Sequence, residues 1–137
     1  MTAWVIAPLL LPLVGGLLQV FVRNGGLAVQ RLVGAGLVAA LVAFSIQMLR
    51  MALTGETYVY YLGDWPAPYG IVLVLDRLSA MMILLTSLVA SAAYAYACAR
   101  KTDERGPHFH PLFQLQLFGL VGAFLTGDVF NLFVFFE

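Results

Sequence analysis

From Thr2 to Val22 the chain carries no charged side chain. About 20 consecutive apolar residues suffice for a helix to cross the roughly 30 Å hydrocarbon core of a bilayer, and "TAWVIAPLLLPLVGGLLQVFV" is such a run. Every backbone N–H and C=O must find a partner within the segment there, which favours a helix. Similar runs recur at "LVGAGLVAALVAFSIQML" (32–49) and "LSAMMILLTSLVASAAYAYACA" (78–99). A fourth, "FHPLFQLQLFGLVGAFLT" (109–126), lies between "RKTDERGPH" and Gly127-Asp128, and a fifth starts at Val129. A single helix over 110–137 would be about 42 Å long and would overshoot the core. Two helices meeting at Thr126-Gly127-Asp128 fit better, with Gly127 in the left-handed position after a helix end and Asp128 accepting from the next helix's first free N–H groups.

The expected fold is therefore an all-α polytopic membrane protein, one membrane domain over 1–137. It has four complete transmembrane helices and the first half of a fifth, with spans at about 3–22, 31–51, 77–99, 109–126 and 129–137. Composition agrees: 62% of residues are hydrophobic and 10% charged, against roughly 25% charged in soluble domains. Seven basic and seven acidic residues cancel, so nothing draws the chain to nucleic acid. A cleavable signal peptide opens with a basic stretch, which is missing before Val22, so the first segment reads as an uncleaved span.

Loops facing the cytoplasm collect Lys and Arg. The connections after the first and third spans hold Arg23, Arg31, Arg100, Lys101 and Arg105, and the second connection is flanked by Arg50 and Arg77 alone. This bias places the N-terminus on the outer side of the cell (inner) membrane, with the long connection 54–76 and the Gly127-Asp128 joint facing the same way. That connection contains β-prone runs at Tyr58–Leu62 and Ile71–Leu75 around the turn-forming "GDWPAPYG". A short β-hairpin is expected, with Trp65 and Tyr69 at the membrane surface. Small residues four apart, Gly36 with Ala40, Ser91 with Ala95 and Gly119 with Ala123, mark expected helix contacts. Pro8 and Pro12 share a face of the first span and read as structural.

Candidate chemistry centres on Glu137. Counted from Asp128 it lies about 13 Å into the membrane, near the middle of the core. An ionised acid there costs on the order of 2.5–3.5 kcal/mol, so proton uptake and release is one role open to it; the other is a structural acid neutralised by a neighbouring Lys or a backbone donor. His108 and His110, at the mouth of the fourth span, either feed protons inward or cap the interface. Gln114 and Gln116 point to different faces of that helix. Asp128 reads as a helix cap before a proton carrier, and Asn131 supports either job. Cys98 stands alone in an apolar run, without a disulfide partner or companion metal ligands, and reads as a small buried hydrophobe. With no phosphate-binding glycine loop, metal-ligand cluster or nucleophile paired with a base, no cofactor or metal is expected, nor enzyme chemistry.

The stretch "GPHFHPLFQLQLFGLVGAFLTGDVFNLFVFFE" (106–137) resembles the fourth and fifth helices of the D subunits of multisubunit Mrp-type cation/proton antiporters, and "YLGDWPAPYGIVLVLDRLSAMMILLTSLV" (61–89) resembles the loop and third helix of those subunits. The D subunits share a superfamily with the antiporter-like membrane subunits of NADH dehydrogenase and of membrane-bound hydrogenases, which typically have fourteen helices. The resemblance implies an N-terminal part of such a subunit. It also implies that Glu137 is the essential proton-handling carboxylate, working with lysines on later helices; His110, Asn131 and Asp128 stand beside it as supporting candidates from the residues themselves. The implied function is exchange of protons for a monovalent cation, Na⁺, in company with other complex subunits and the lipid bilayer. Two alternatives stand beside it: a proton-pumping subunit of a respiratory or hydrogenase complex, and a non-transporting structural subunit.

Overall fold

A computed structural model describes residues 2–66 and 68–137; Ala67, inside the expected turn, lies outside the described residues. Among the described residues five α-helices follow in order: α1 (Ala7–Val22), α2 (Leu27–Leu53), α3 (Arg77–Ala99), α4 (Phe109–Leu125) and α5 (Val129–Phe136). Two strands, β1 (Tyr58–Tyr61) and β2 (Val72–Leu75), lie between α2 and α3. Among the described residues three helices, Trp4–Gly25, Leu27–Leu53 and Arg77–Ala99, are long and apolar enough to cross a membrane. The 17 residues of α4 span about 25 Å, and the 8 of α5 about 12 Å.

The first four helices close a ring in which α1 packs on α2 and α4, and α3 packs on α2 and α4; α5 lies against α4. The ring interior is filled by Leu9, Val38, Leu41, Ile83, Leu117 and Val121 among others. The outside is as apolar as the inside. Phe21 is 79% exposed, Leu32 74% and Phe130 75%, an arrangement that suits hydrocarbon as solvent and not water.

Each helix boundary has a local cause. Asp76 Oδ1 accepts from Ser79 N–H at 2.6 Å and starts α3. Pro8 sits in the first turn of α1, where its missing N–H costs nothing. Gly26, at φ 96°, breaks the chain between α1 and α2.

The hairpin is present and antiparallel, pairing Tyr58 with Leu75 and Tyr61 with Val72. It also holds the α4–α5 joint, because Gly127 N–H donates to Val72 O at 2.8 Å and Leu73 bridges Thr126. This corrects the reason for a glycine at 127. The backbone there is not left-handed; a side chain at 127 would run into Val74 Cγ2, 2.6 Å from where its Cβ would lie. Thr126, at φ −65° and ψ 137°, is what turns the chain out of α4.

The expected contact at Gly36 is likewise moved. Space around Gly36 is open, whereas a Cβ on Gly34 would overlap the Tyr94 hydroxyl, so Gly34 is where α2 lets α3 approach. On α4, the contact is made by Gly119 and Gly122 against Phe135. The two α2 glycines should thus respond with opposite sign. Gly36→Ala should raise thermal stability by about 0.5–1 kcal/mol, the usual helical gain, and Gly34→Ala should lower it by roughly 1–3 kcal/mol through overpacking. Thermal unfolding in detergent reads both, and equal shifts would contradict this packing.

Candidate functional site

The densest polar construction lies where α2 begins, α3 ends and α4 begins. After α3 the chain reverses at Lys101, a non-glycine residue at φ 56°, and a single 3₁₀ turn over Thr102–Glu104 folds back on the bundle. That turn drives Asp103 inward until its side chain has no exposed surface. Burying a lone carboxylate is costly, and the neighbours supply what the missing water would have given. Arg31, one turn into α2, donates from Nε to Asp103 Oδ2 at 2.6 Å and from Nη2 to Oδ1 at 2.8 Å. This two-pronged pairing matches the planar guanidinium to the carboxylate. A second bond from Nη2 reaches Glu104 Oε1 at 3.1 Å, at the exposed edge.

The opposite side of Asp103 faces His110, in the first turn of α4. His110 is 2% exposed, and its Nε2 lies 3.2 Å from Asp103 Oδ2. The approach is within ion-pair range but poorly aligned, so Nε2 has no well-directed hydrogen bond. The other ring nitrogen, Nδ1, is 2.8 Å from Tyr94 Oη of α3. Tyr94 Oη is in turn 3.4 Å from Gln30 O and 3.3 Å from Arg31 O on α2. Gln30 O also accepts from Gln19 Nε2 of α1 at 3.1 Å. One buried network therefore joins all four helices of the ring.

The two histidines are separated by this arrangement. His108 stays exposed at the start of α4, its ring 3.5 Å from Arg23 Nη1, while His110 belongs to the interior and is not an interfacial cap. The two glutamines also differ. Gln114, one turn below His110, is 2% exposed with Nε2 unpaired, and Gln116 faces outward. Asp128 caps α5, its Oδ1 accepting from Phe130 N–H at 3.2 Å, and Asn131 is buried with Nδ2 unpaired. Glu137 is exposed at the end of α5. Its level is set by Phe135, whose carbonyl lies against Gly119 and whose ring meets Phe118 edge-on at 5.6 Å between centroids. Measured along the α4 axis, the level of Glu137 is therefore about one turn from Gln114 and two from His110. Asp128 lies at the far end of α4 from His110.

Relatives place this geometry. The chain is 47% identical over 146 aligned positions to a probable K⁺/H⁺ antiporter D subunit of Rhizobium meliloti, covering 100% of this chain and 27% of the relative. It is 40% identical over 135 positions to a Na⁺/H⁺ antiporter D subunit of Alkalihalophilus pseudofirmus, covering 97% of this chain and 27% of the relative. Over its whole length the chain is similar to antiporter D subunits. The solved Mrp complex from Dietzia sp. superposes with a TM-score of 0.78 at 29% identity, over 98% of this chain and 24% of the matched one. No protein-family model matches. The chain spans about 27% of the length of these curated relatives.

Asp103, Arg31 and Tyr94 escape a reading of the sequence, in which the first two look like solvated loop and span-end charges. The available signal is the acidic pair Asp103-Glu104 inside an otherwise basic loop. The Arg31 hydrogen bonds hold the Asp103 carboxyl below the usual carboxylate range despite its burial. Stability from this group is fully present above the unfolded value near pH 3.9 and is lost as pH falls through the lower folded value. Asp76 acts in the same window, through the Ser79 N–H. Asp103→Asn should therefore lower the unfolding temperature at pH 7 and flatten its decline below about pH 4. An identical acid limb in both proteins would remove Asp103 from that account.

Proposed function

We propose that this chain forms part of a membrane subunit of a multisubunit antiporter that exchanges a monovalent cation for protons, and that Glu137 carries the proton. The observation that supports this most is identity of 47% across the whole chain to an antiporter D subunit. The relatives are named for K⁺ in one case and Na⁺ in another, so the reading is of a cation class, with Na⁺ as one member. The chain then acts as a transporter component and not as an enzyme, beside other subunits of the complex and within the lipid bilayer.

In this reading α1 to α4 cross the cell membrane with the N-terminus on the outer side, following the excess of Arg and Lys in the connections after α1 and α3. The hairpin and the α4–α5 joint lie outside, and the Asp103 network lies at the cytoplasmic end. From the joint, α5 enters the membrane and carries Glu137 about 13 Å inward.

An acid at that depth is neutral when it holds a proton and costly when it does not. A cationic group brought close would favour release, and its withdrawal would favour uptake, so movement of a cation elsewhere in the assembly couples to the proton. Phe133 and Phe136 are exposed on α5 and give the helix that carries the acid an apolar flank suited to hydrocarbon.

Glu137→Gln should abolish proton-coupled exchange in membrane vesicles carrying the assembled complex, with subunit assembly unchanged. Wild-type exchange from that variant would overturn the role of Glu137.

A further inference from the structure

Resting on the reading just given, we infer that His110 is a second proton-carrying residue of this subunit, positioned by Asp103 and switched by the Tyr94 hydroxyl. A histidine need not be there to satisfy Asp103, which already receives two hydrogen bonds from Arg31. An apolar side chain at 110 would avoid the cost of burying an imidazole. What the surroundings provide instead is a hydrogen-bond partner for Nδ1 in each of two protonation states, with the Asp103 carboxylate 3.2 Å from Nε2.

In the neutral ring, Nε2–H faces the Asp103 carboxylate, and Nδ1 accepts the Tyr94 O–H across 2.8 Å. When a proton is taken from water, it binds the Nδ1 lone pair, and the imidazolium then donates from Nδ1 to Tyr94 Oη. The displaced Tyr94 hydrogen turns to the carbonyl of Arg31 at 3.3 Å or of Gln30 at 3.4 Å. One N–H bond forms at Nδ1 as one O–H bond of hydronium breaks and leaves water, and the Tyr94 hydroxyl keeps an acceptor in either state. Loss of the proton to water reverses the rotation. Hydroxyl rotation is a small motion, and it needs no rearrangement of the helices.

The groups facing His110 bring charges of both signs close to the ring. The loop contributes Asp103, an anion in contact, and α2 contributes Arg31, a cation held off by that same anion. From α3 come Tyr94 and, one turn on, the half-buried thiol of Cys98. Glu104 lies beyond Arg31 at the exposed edge. From α1 comes the neutral Gln19, by way of Gln30 O. Deeper along α4, Gln114 holds an unpaired Nε2 one turn from the level of Glu137, the kind of group that orders a bridging water. The site thus stands between the exposed loop 100–108 and the level of the acid on α5.

The test uses the assembled complex in membrane vesicles, with Na⁺ and K⁺ tried separately and a pH-sensitive dye reporting proton movement. His110→Gln still hydrogen-bonds but holds no proton. Transfer through a positioned side chain is worth about 10²-fold or more, and leakage through water reduces the expected loss of exchange to roughly tenfold, with a changed pH profile. Wild-type rate and profile in His110→Gln, beside an inactive Glu137→Gln, would overturn this inference while leaving the proposed function standing. Absence of exchange in the unmutated complex would instead overturn the function.

Where a variant fails to assemble, the wild-type protein decides. Hydrogen–deuterium exchange at the His110 ring C2–H should show a titration within the pH range over which cation/proton exchange runs. Its midpoint should move toward acid by about one pH unit or more in Asp103→Asn, through loss of the nearby anion, and in the same direction in Tyr94→Phe. A ring that does not titrate in that range would end the proposal.

Discussion

The Asp103 carboxylate is the group on which the cytoplasmic end of this bundle depends in the proposed orientation. It is fully enclosed, so its charge has to be met by protein, and the partners that meet it come from α2 and α4. Hydrophobic burial does little to choose between helix arrangements when the outside solvent is hydrocarbon. Directional polar contacts carry more of that choice. Arg31 is 72 positions from Asp103, so their pairing brings the start of α2 to the end of α3, and His110 adds the start of α4. Replacing the pair by apolar residues of the same size would not of itself destabilise the core. What would be lost is the register of three helix ends.

At the other end the corresponding device is backbone pairing. The β-hairpin would present open edges in any setting, and one of them is occupied by the α4–α5 joint through Gly127 and Thr126. This contact settles where α5 begins, and Asp128 then caps it. The level of Glu137 follows from those two facts and from Phe135 against Gly119. A residue with little contact of its own is positioned by a glycine ten places away that must lack a side chain.

Much of this architecture is legible in the chain because charge-free runs and turn clusters are local signals. The first three helices, the hairpin and the cap at Asp128 all follow from residues close together in sequence. The errors share one cause. Local backbone rules give Gly127 and Gly36 their expected roles, but a glycine is also required wherever another segment comes near, and only the fold says which segment. Asp103 and Arg31 read as solvated because each has polar neighbours in its own stretch. Their pairing, and the burial of Asp103, come from a left-handed turn at Lys101 that sequence gives no reason to expect at a lysine. Tyr94 sits in an apolar run and carries no sign that its hydroxyl ends among α2 carbonyls.

The relation between the two polar regions is the remaining step. His110 and Glu137 belong to helices that pack against each other, and neither α4 nor α5 can shift along its axis without disturbing both. Movement of α5 would be resisted by Phe135 against Gly122, where no Cβ fits, and movement of α4 by the Asp103 network. In the proposed mechanism, rigid helices with small, switchable groups between them make proton transfer depend on hydroxyl rotation and on water, and not on large displacements. That division of labour explains why the network places a tyrosine with three acceptors in reach at a position where phenylalanine would pack equally well.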